Sequence, residues 1–214
     1  ANLKGGSLKL EEFVSSGQLL QYRPLQPADK GETVIHLVLE AQAWESPEQA
    51  FASHVLQQRI AAMPNQTHAF YRCSMSAWRQ GKNLNIKKQN QLARRFYLLG
   101  ETIEQKALHE LLSVMLRVSQ EMASELSLAA TDRESAIITL AALYAKEDER
   151  IREIKTVYLN RNPQDEQLAG NLLGISQICS LGSLQLALEQ ATSVLSASIP
   201  ATSPQLLVDS SSEP

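Results

Sequence analysis

Between Ile103 and Leu126 apolar residues recur at spacings of three and four, and this run constrains the fold more than any other stretch of the chain. Ile103, Ala107, Leu108, Leu111, Leu112, Met115, Val118, Met122 and Leu126 share one face at 3.6 residues per turn. The spacing predicts a long amphipathic helix. Upstream, Ile86, Ala93, Phe96 and Tyr97 extend the pattern as far as Gly100, a residue that kinks the helix or splits it in two. Downstream, Thr131-Asp132-Arg133-Glu134 reads as a capping box opening another helix. That helix carries Ile137, Leu140, Tyr144, Ile151, Ile154 and Tyr158 at heptad-like spacing. After the break at Asn162-Pro163, a last helix or pair of helices is expected over 164–196, interrupted by Gly170, Gly174 and Gly182. From Ser198 onward periodicity stops, and 198–214 reads as a disordered tail.

The front of the chain has a different rhythm. Residues 18–24 alternate weakly and end in a proline-bounded loop, as a short strand and turn do. From Thr33 to Trp44, Ile35, Leu37, Leu39, Ala41 and Ala43 alternate with polar residues, the signature of a strand with one face inward. Ser46-Pro47-Glu48-Gln49 supplies a capping hydroxyl and a proline at the first helical position, starting a helix expected to run to about Met63. A third strand is expected from His68 to Trp78, with Ala69, Tyr71 and Cys73 inward and Phe70, Arg72 and Trp78 outward. Aromatic residues make up only 5% of the chain, against 43% apolar residues overall, which favours helix packing over an aromatic-rich sandwich or barrel.

The expected fold is therefore α+β and predominantly α-helical. A small N-terminal sheet of about three strands with one helix occupies 1–80, a helical bundle packed on it as one compact unit occupies 81–197, and the disordered tail follows.

Signals of catalysis are sparse. The chain has no GxSxG, no phosphate-binding GxxxxGK[ST], no dinucleotide-binding GxGxxG and no HExxH. His36, His54, His68 and His109 are scattered, none with a second ligand at metal spacing, so neither a metal nor any other cofactor is expected. Cys73 and Cys179 lie far apart with no CxxC, which points to a reducing compartment and a cytoplasmic location. No apolar run approaches the length of a membrane span, and no insertion into a membrane is expected.

Charge supplies the feature that rises above this background. No acidic residue lies between Glu48 and Glu101, a segment carrying +8, so with a net charge of −3 the rest of the chain carries −11. Lys87, Lys88, Arg94 and Arg95 fall on one helical face, and Arg72, Arg79 and Lys82 extend the basic region toward Phe70 and Trp78. Cations lining a path suit phosphates, and flat aromatic rings suit unpaired bases. The leading expectation is a non-catalytic subunit of a larger assembly that binds RNA or DNA backbone through these residues. The alternative is a helical scaffold, chaperone or assembly factor acting through protein contacts or as a homo-oligomer. A third reading pairs the basic face with the acidic remainder, including Glu147, Asp148, Glu149 and Glu153, within the molecule or across a dimer. An enzyme whose site is assembled only by folding is the least favoured.

Overall fold

The computed structural model describes residues 6–13, 17–26, 31–38, 43–74, 91, 102–121, 125–130, 134–159 and 181–196. Its frame is one seven-stranded sheet. In chain order the strands are β1 (Gly6–Phe13), β2 (Gly17–Pro24), β3 (Glu32–Val38), β4 (Thr67–Arg72), β5 (Glu125–Ala130), β6 (Ile154–Leu159) and β7 (Ser193–Ser196). Across the sheet they lie in the order β1-β2-β4-β3-β5-β6-β7. β2 runs antiparallel to both β1 and β4, while β4, β3, β5, β6 and β7 are mutually parallel.

Parallel strands need crossovers, and helices supply them. α1 (Pro47–Phe51) and α2 (His54–Ala62) lie between β3 and β4, α3 (Ile103–Glu121) between β4 and β5, α4 (Ser135–Glu147) between β5 and β6, and α5 (Leu181–Ala191) precedes β7. Two apolar cores result, one on each face. Leu20, Tyr22, Val38 and Phe70 pack beneath Ala50, Leu56 and Ile60 of α1 and α2. On the opposite face Leu19, Ile35, Tyr71, Leu126 and Leu128 pack beneath Leu111 and Met115 of α3, Ile137 and Ala141 of α4, and Leu188 of α5. The architecture is a doubly covered α/β sheet.

This corrects the expected small sheet followed by a helical bundle. The sheet runs across residue 80, because β5 pairs with β3, and β6 and β7 continue outward from it. Leu126 continues the three-and-four spacing of α3 by coincidence: the helix ends at Glu121 and Glu125–Ala130 is a strand. Ile154 and Tyr158, expected on a heptad seam, belong to β6. Both strands are six residues long and lie inside a parallel sheet. Such strands are covered on both faces, so they lack the alternation that marks a half-buried strand. β1 lies ahead of the first expected strand.

The helix start at Ser46 is as its residues dictate: Ser46 is extended, Pro47 opens the helix, and the Gln49 N–H donates to Ser46 Oγ at 3.1 Å. The chain leaves helical geometry at Ser53, where ψ is 121°, making two helices where one was expected. α4 begins at Ser135, one residue beyond the expected box, and Glu134 precedes it without a side-chain cap. The tail at 198–214 and the questions raised by Gly100 and Gly170 fall outside the described residues. Among the described residues no helix is long and apolar enough to cross a membrane.

Candidate functional site at the carboxyl edge of the sheet

In an open α/β sheet ligands bind where neighbouring parallel strands send their following connections to opposite sides, since a crevice opens outside their carboxyl ends. Here that place lies between β3, whose chain returns to β4 on one side, and β5, whose chain continues to β6 on the other. Three groups meet at this edge of the sheet. Arg59 of α2, buried at 3% exposure, donates from Nη1 to the Leu37 carbonyl near the end of β3 at 3.0 Å. Its Nη2 donates to Glu134 Oε2 at 3.1 Å, and Glu134, itself buried, stands directly before α4. The ion pair thus ties a helix on one face of the sheet to a helix on the other, across the carboxyl ends of β3 and β5. The amino end of α4 carries the positive end of the helix dipole and its first unsatisfied N–H groups. Glu134 sits where that field favours a carboxylate.

Along the same edge, beyond β4, Glu110 of α3 is buried at 7% exposure and accepts three hydrogen bonds. The Tyr71 hydroxyl donates at 2.7 Å, the Ser74 N–H donates at 3.0 Å to the same oxygen, and the Ser74 hydroxyl donates to the other. Burial, together with the bond to Glu110, pushes the Tyr71 phenol well above its ordinary value, so it is a fixed donor at any physiological pH. On β2 the Gln18 side chain closes a two-way bond with the Trp44 backbone, donating to the carbonyl at 2.8 Å and accepting from the N–H at 2.7 Å. This fixes the segment after β3 onto β2. The Trp44 indole N–H is buried there with no partner among the described residues.

The histidines are placed otherwise. His36 and His68, on β3 and β4, lie beneath α2, with His36 Nε2 at 2.9 Å from His68 Nδ1 and His68 Nε2 at 2.9 Å from the Met63 carbonyl. A carbonyl only accepts, so His68 donates from Nε2, its Nδ1 accepts from His36 Nε2–H, and His36 Nδ1 is left as a bare acceptor. That atom is buried without a partner among the described residues. Both rings are neutral, and burial of both holds His36 well below its ordinary value and brings His68 down to about 4. The pair stacks on Phe70 and belongs to the core. His54 and His109 are exposed on α2 and α3. Among the described residues no group of three His, Cys, Asp or Glu side chains could hold a metal.

The residues expected to contact nucleic acid fare unevenly. β4 is an interior strand covered on both faces, so Phe70, expected to point outward, is wholly buried, and Arg72 is 4% exposed. Trp78, Arg79, Lys82, Lys87, Lys88, Arg94 and Arg95 lie outside the described residues. Near the acidic stretch considered as their internal partner, Asp148 is held by Arg150, at 2.8 and 2.7 Å. An open hollow of about 640 Å³ between α3 and the end of α4, lined by Leu112, Leu116, Tyr144 and Ile151, lies a helix length away from Glu134.

Sequence reasoning passed over Arg59, Glu110 and Glu134, although two left a trace. Arg59 interrupts the stripe of Val55, Leu56, Ile60 and Met63, and Glu110 falls in line with Ala107 and Val114. A charge inside an apolar stripe is buried and therefore paired.

No family model matches the sequence, and no curated protein matches it. Solved structures do. A lipase/esterase from Lactobacillus plantarum is matched with a TM-score of 0.47 at 8% identity, covering 88% of this chain and 90% of that one. Carboxyl esterase 2 from Tuber melanosporum gives 0.43 at 7% identity over 73% of this chain and 45% of that one. A fungal esterase from Rhizomucor miehei gives 0.43 at 13% identity over 89% and 55%. This chain spans about half the length of the first structures matched. The architecture itself is defined by strand order and direction. The strand order itself corrects the expected helical bundle. The expected non-catalytic nucleic-acid-binding subunit loses Phe70 and Arg72 to the interior of the sheet, and the expected helical scaffold, chaperone or assembly factor loses its heptad-like seam to β6.

Proposed function

We propose that the crevice at the carboxyl ends of β3 and β5 is the small-molecule site of a hydrolytic enzyme. The observation that carries this reading is the convergence at the strand-order switch of the Leu37 carbonyl, Arg59, Glu134 and the amino end of α4. Only three residues in sequence, Thr131-Asp132-Arg133, separate the end of β5 from Glu134. A short strand-to-helix connection of this kind is where hydrolases of α/β architecture carry their nucleophile, with the first N–H groups of the helix stabilising the negative oxygen that develops on an acyl carbon. Asp132 is the acid in that connection, able to serve as nucleophile or as base toward water. Ala130 and Glu134 stand where such motifs carry glycine, and Glu134 is paired with Arg59. His36 and His68 have no part in this scheme, since both are committed to the core.

The test is hydrolysis of a panel of short-chain chromogenic esters by the purified chain beside an Asp132→Asn variant. Turnover lost in the variant, with an unchanged melting temperature, supports the reading. A folded parent with no turnover on the panel, or turnover unchanged in the variant, removes it.

A further inference from the structure

We propose that the chain associates with a second copy of itself through the open edge of β1, forming a sheet continuous across a two-fold axis centred on Leu10. Among the described residues β1 is the outermost strand on its side, and it pairs with β2 over its whole length, from Gly6↔Pro24 to Phe13↔Gly17, without a register shift. Among the described residues its other side has no partner strand, so every second residue of the eight turns its N–H and C=O outward. Monomeric proteins blunt such edges with proline, bulges, short length or charged side chains. β1 has no proline and no bulge, and its charged residues, Lys9, Glu11 and Glu12, are of mixed sign.

The side chains choose the partner and the register. Leu8 and Leu10 pack into the core beneath α1 and α2, which sets the even-numbered positions on that face. Glu11 pairs with Arg117 of α3 at 2.7 Å and Phe13 meets Tyr71, which sets the odd positions on the opposite face. A two-fold axis normal to the sheet keeps each helix layer of one copy level with the same layer of the other, and it pairs odd positions with odd. Centring that axis on Lys9 opposes two lysines, and centring it on Glu11 opposes two glutamates. Centring it on Leu10 sets Lys9 against Glu11 of the second copy, twice by symmetry, with the two Leu10 side chains adjacent. Like charges directly opposite destabilise a strand pair and unlike charges stabilise it, so the strand is complementary to itself in this register. Lys9, 63% exposed at its side chain, is within reach of its own Glu11 and of the Glu11 facing it.

Sedimentation velocity over a range of protein concentration tests this, using the parent, Lys9→Glu, Glu11→Lys and an equal mixture of the two variants. The parent is expected to dimerise and each variant alone to dissociate at least about tenfold more readily, because each sets like charges opposite one another. The mixture is expected to recover a heterodimer, since every opposed pair is then unlike. Circular dichroism melts establish that each variant is folded; Lys9→Glu leaves the Arg117 contact in place if Glu11→Lys proves unstable, and its dissociation alone then decides the matter. A monomeric parent at all concentrations, a dimer indifferent to Lys9→Glu, or two folded variants that fail to recombine would each overturn the proposal.

Discussion

Acidification should weaken this fold through His36 and His68. In the folded chain both rings are neutral: His68 titrates at about 4, while its ordinary value is 6.5. The unfolded chain takes up the proton as pH falls through 6.5 and the folded chain does so only near 4, so the contribution of this residue is whole above 6.5 and is lost between those limits. The interval corresponds to about 3 kcal/mol, of which about 2 kcal/mol is lost between about pH 7 and about pH 5. His36, buried under α2 with the charge of Arg59 nearby, adds a loss of the same sign. Of the carboxylates that ion pairing shifts, Glu11 and Asp148 are both held below their ordinary values and titrate at lower pH than this window. Chemical denaturation at a series of pH values, on the parent and on a His36→Gln/His68→Gln variant, measures the effect. The parent should lose stability steeply over the window and the variant should lose little. Equal slopes in the two proteins, or a parent whose stability is flat down to about pH 5, would refute the argument from burial.

Two further substitutions probe the carboxyl edge. Arg59→Met leaves Glu134 as a buried charge without its guanidinium and should cost about 3–5 kcal/mol in denaturant unfolding, with Arg59→Met/Glu134→Leu recovering much of it. Tyr71→Phe removes one of the three donors to Glu110 and should cost about 1–3 kcal/mol, read as a lowered denaturation midpoint with an unchanged slope.

Local signals were legible wherever a residue acts on its immediate neighbours. Ser46 and Pro47 start α1 because a hydroxyl acceptor and a fixed φ need only the next turn of chain. β2, β3 and α3 were likewise visible in the spacing of their apolar residues, though β3 and α3 end earlier than that spacing suggests. β5 and β6 were not, because a strand buried on both faces shows neither a period of two nor a polar side, and Leu126 happened to continue the helical spacing.

The candidate site was illegible for a different reason. Arg59 and Glu134 are 75 residues apart, and they meet only because the crossovers from β3 to β4 and from β5 to β6 leave the sheet on opposite sides. By itself the sequence determined where α1 starts and which segments carry an apolar stripe. Strand order was decided by tertiary structure, because hydrogen-bonded pairing and layer packing depend on which distant segments share a face. With strand order came the interior placement of Phe70 and Arg72, the stacking of His36 on His68, and the meeting of Arg59 with Glu134 across the ends of β3 and β5.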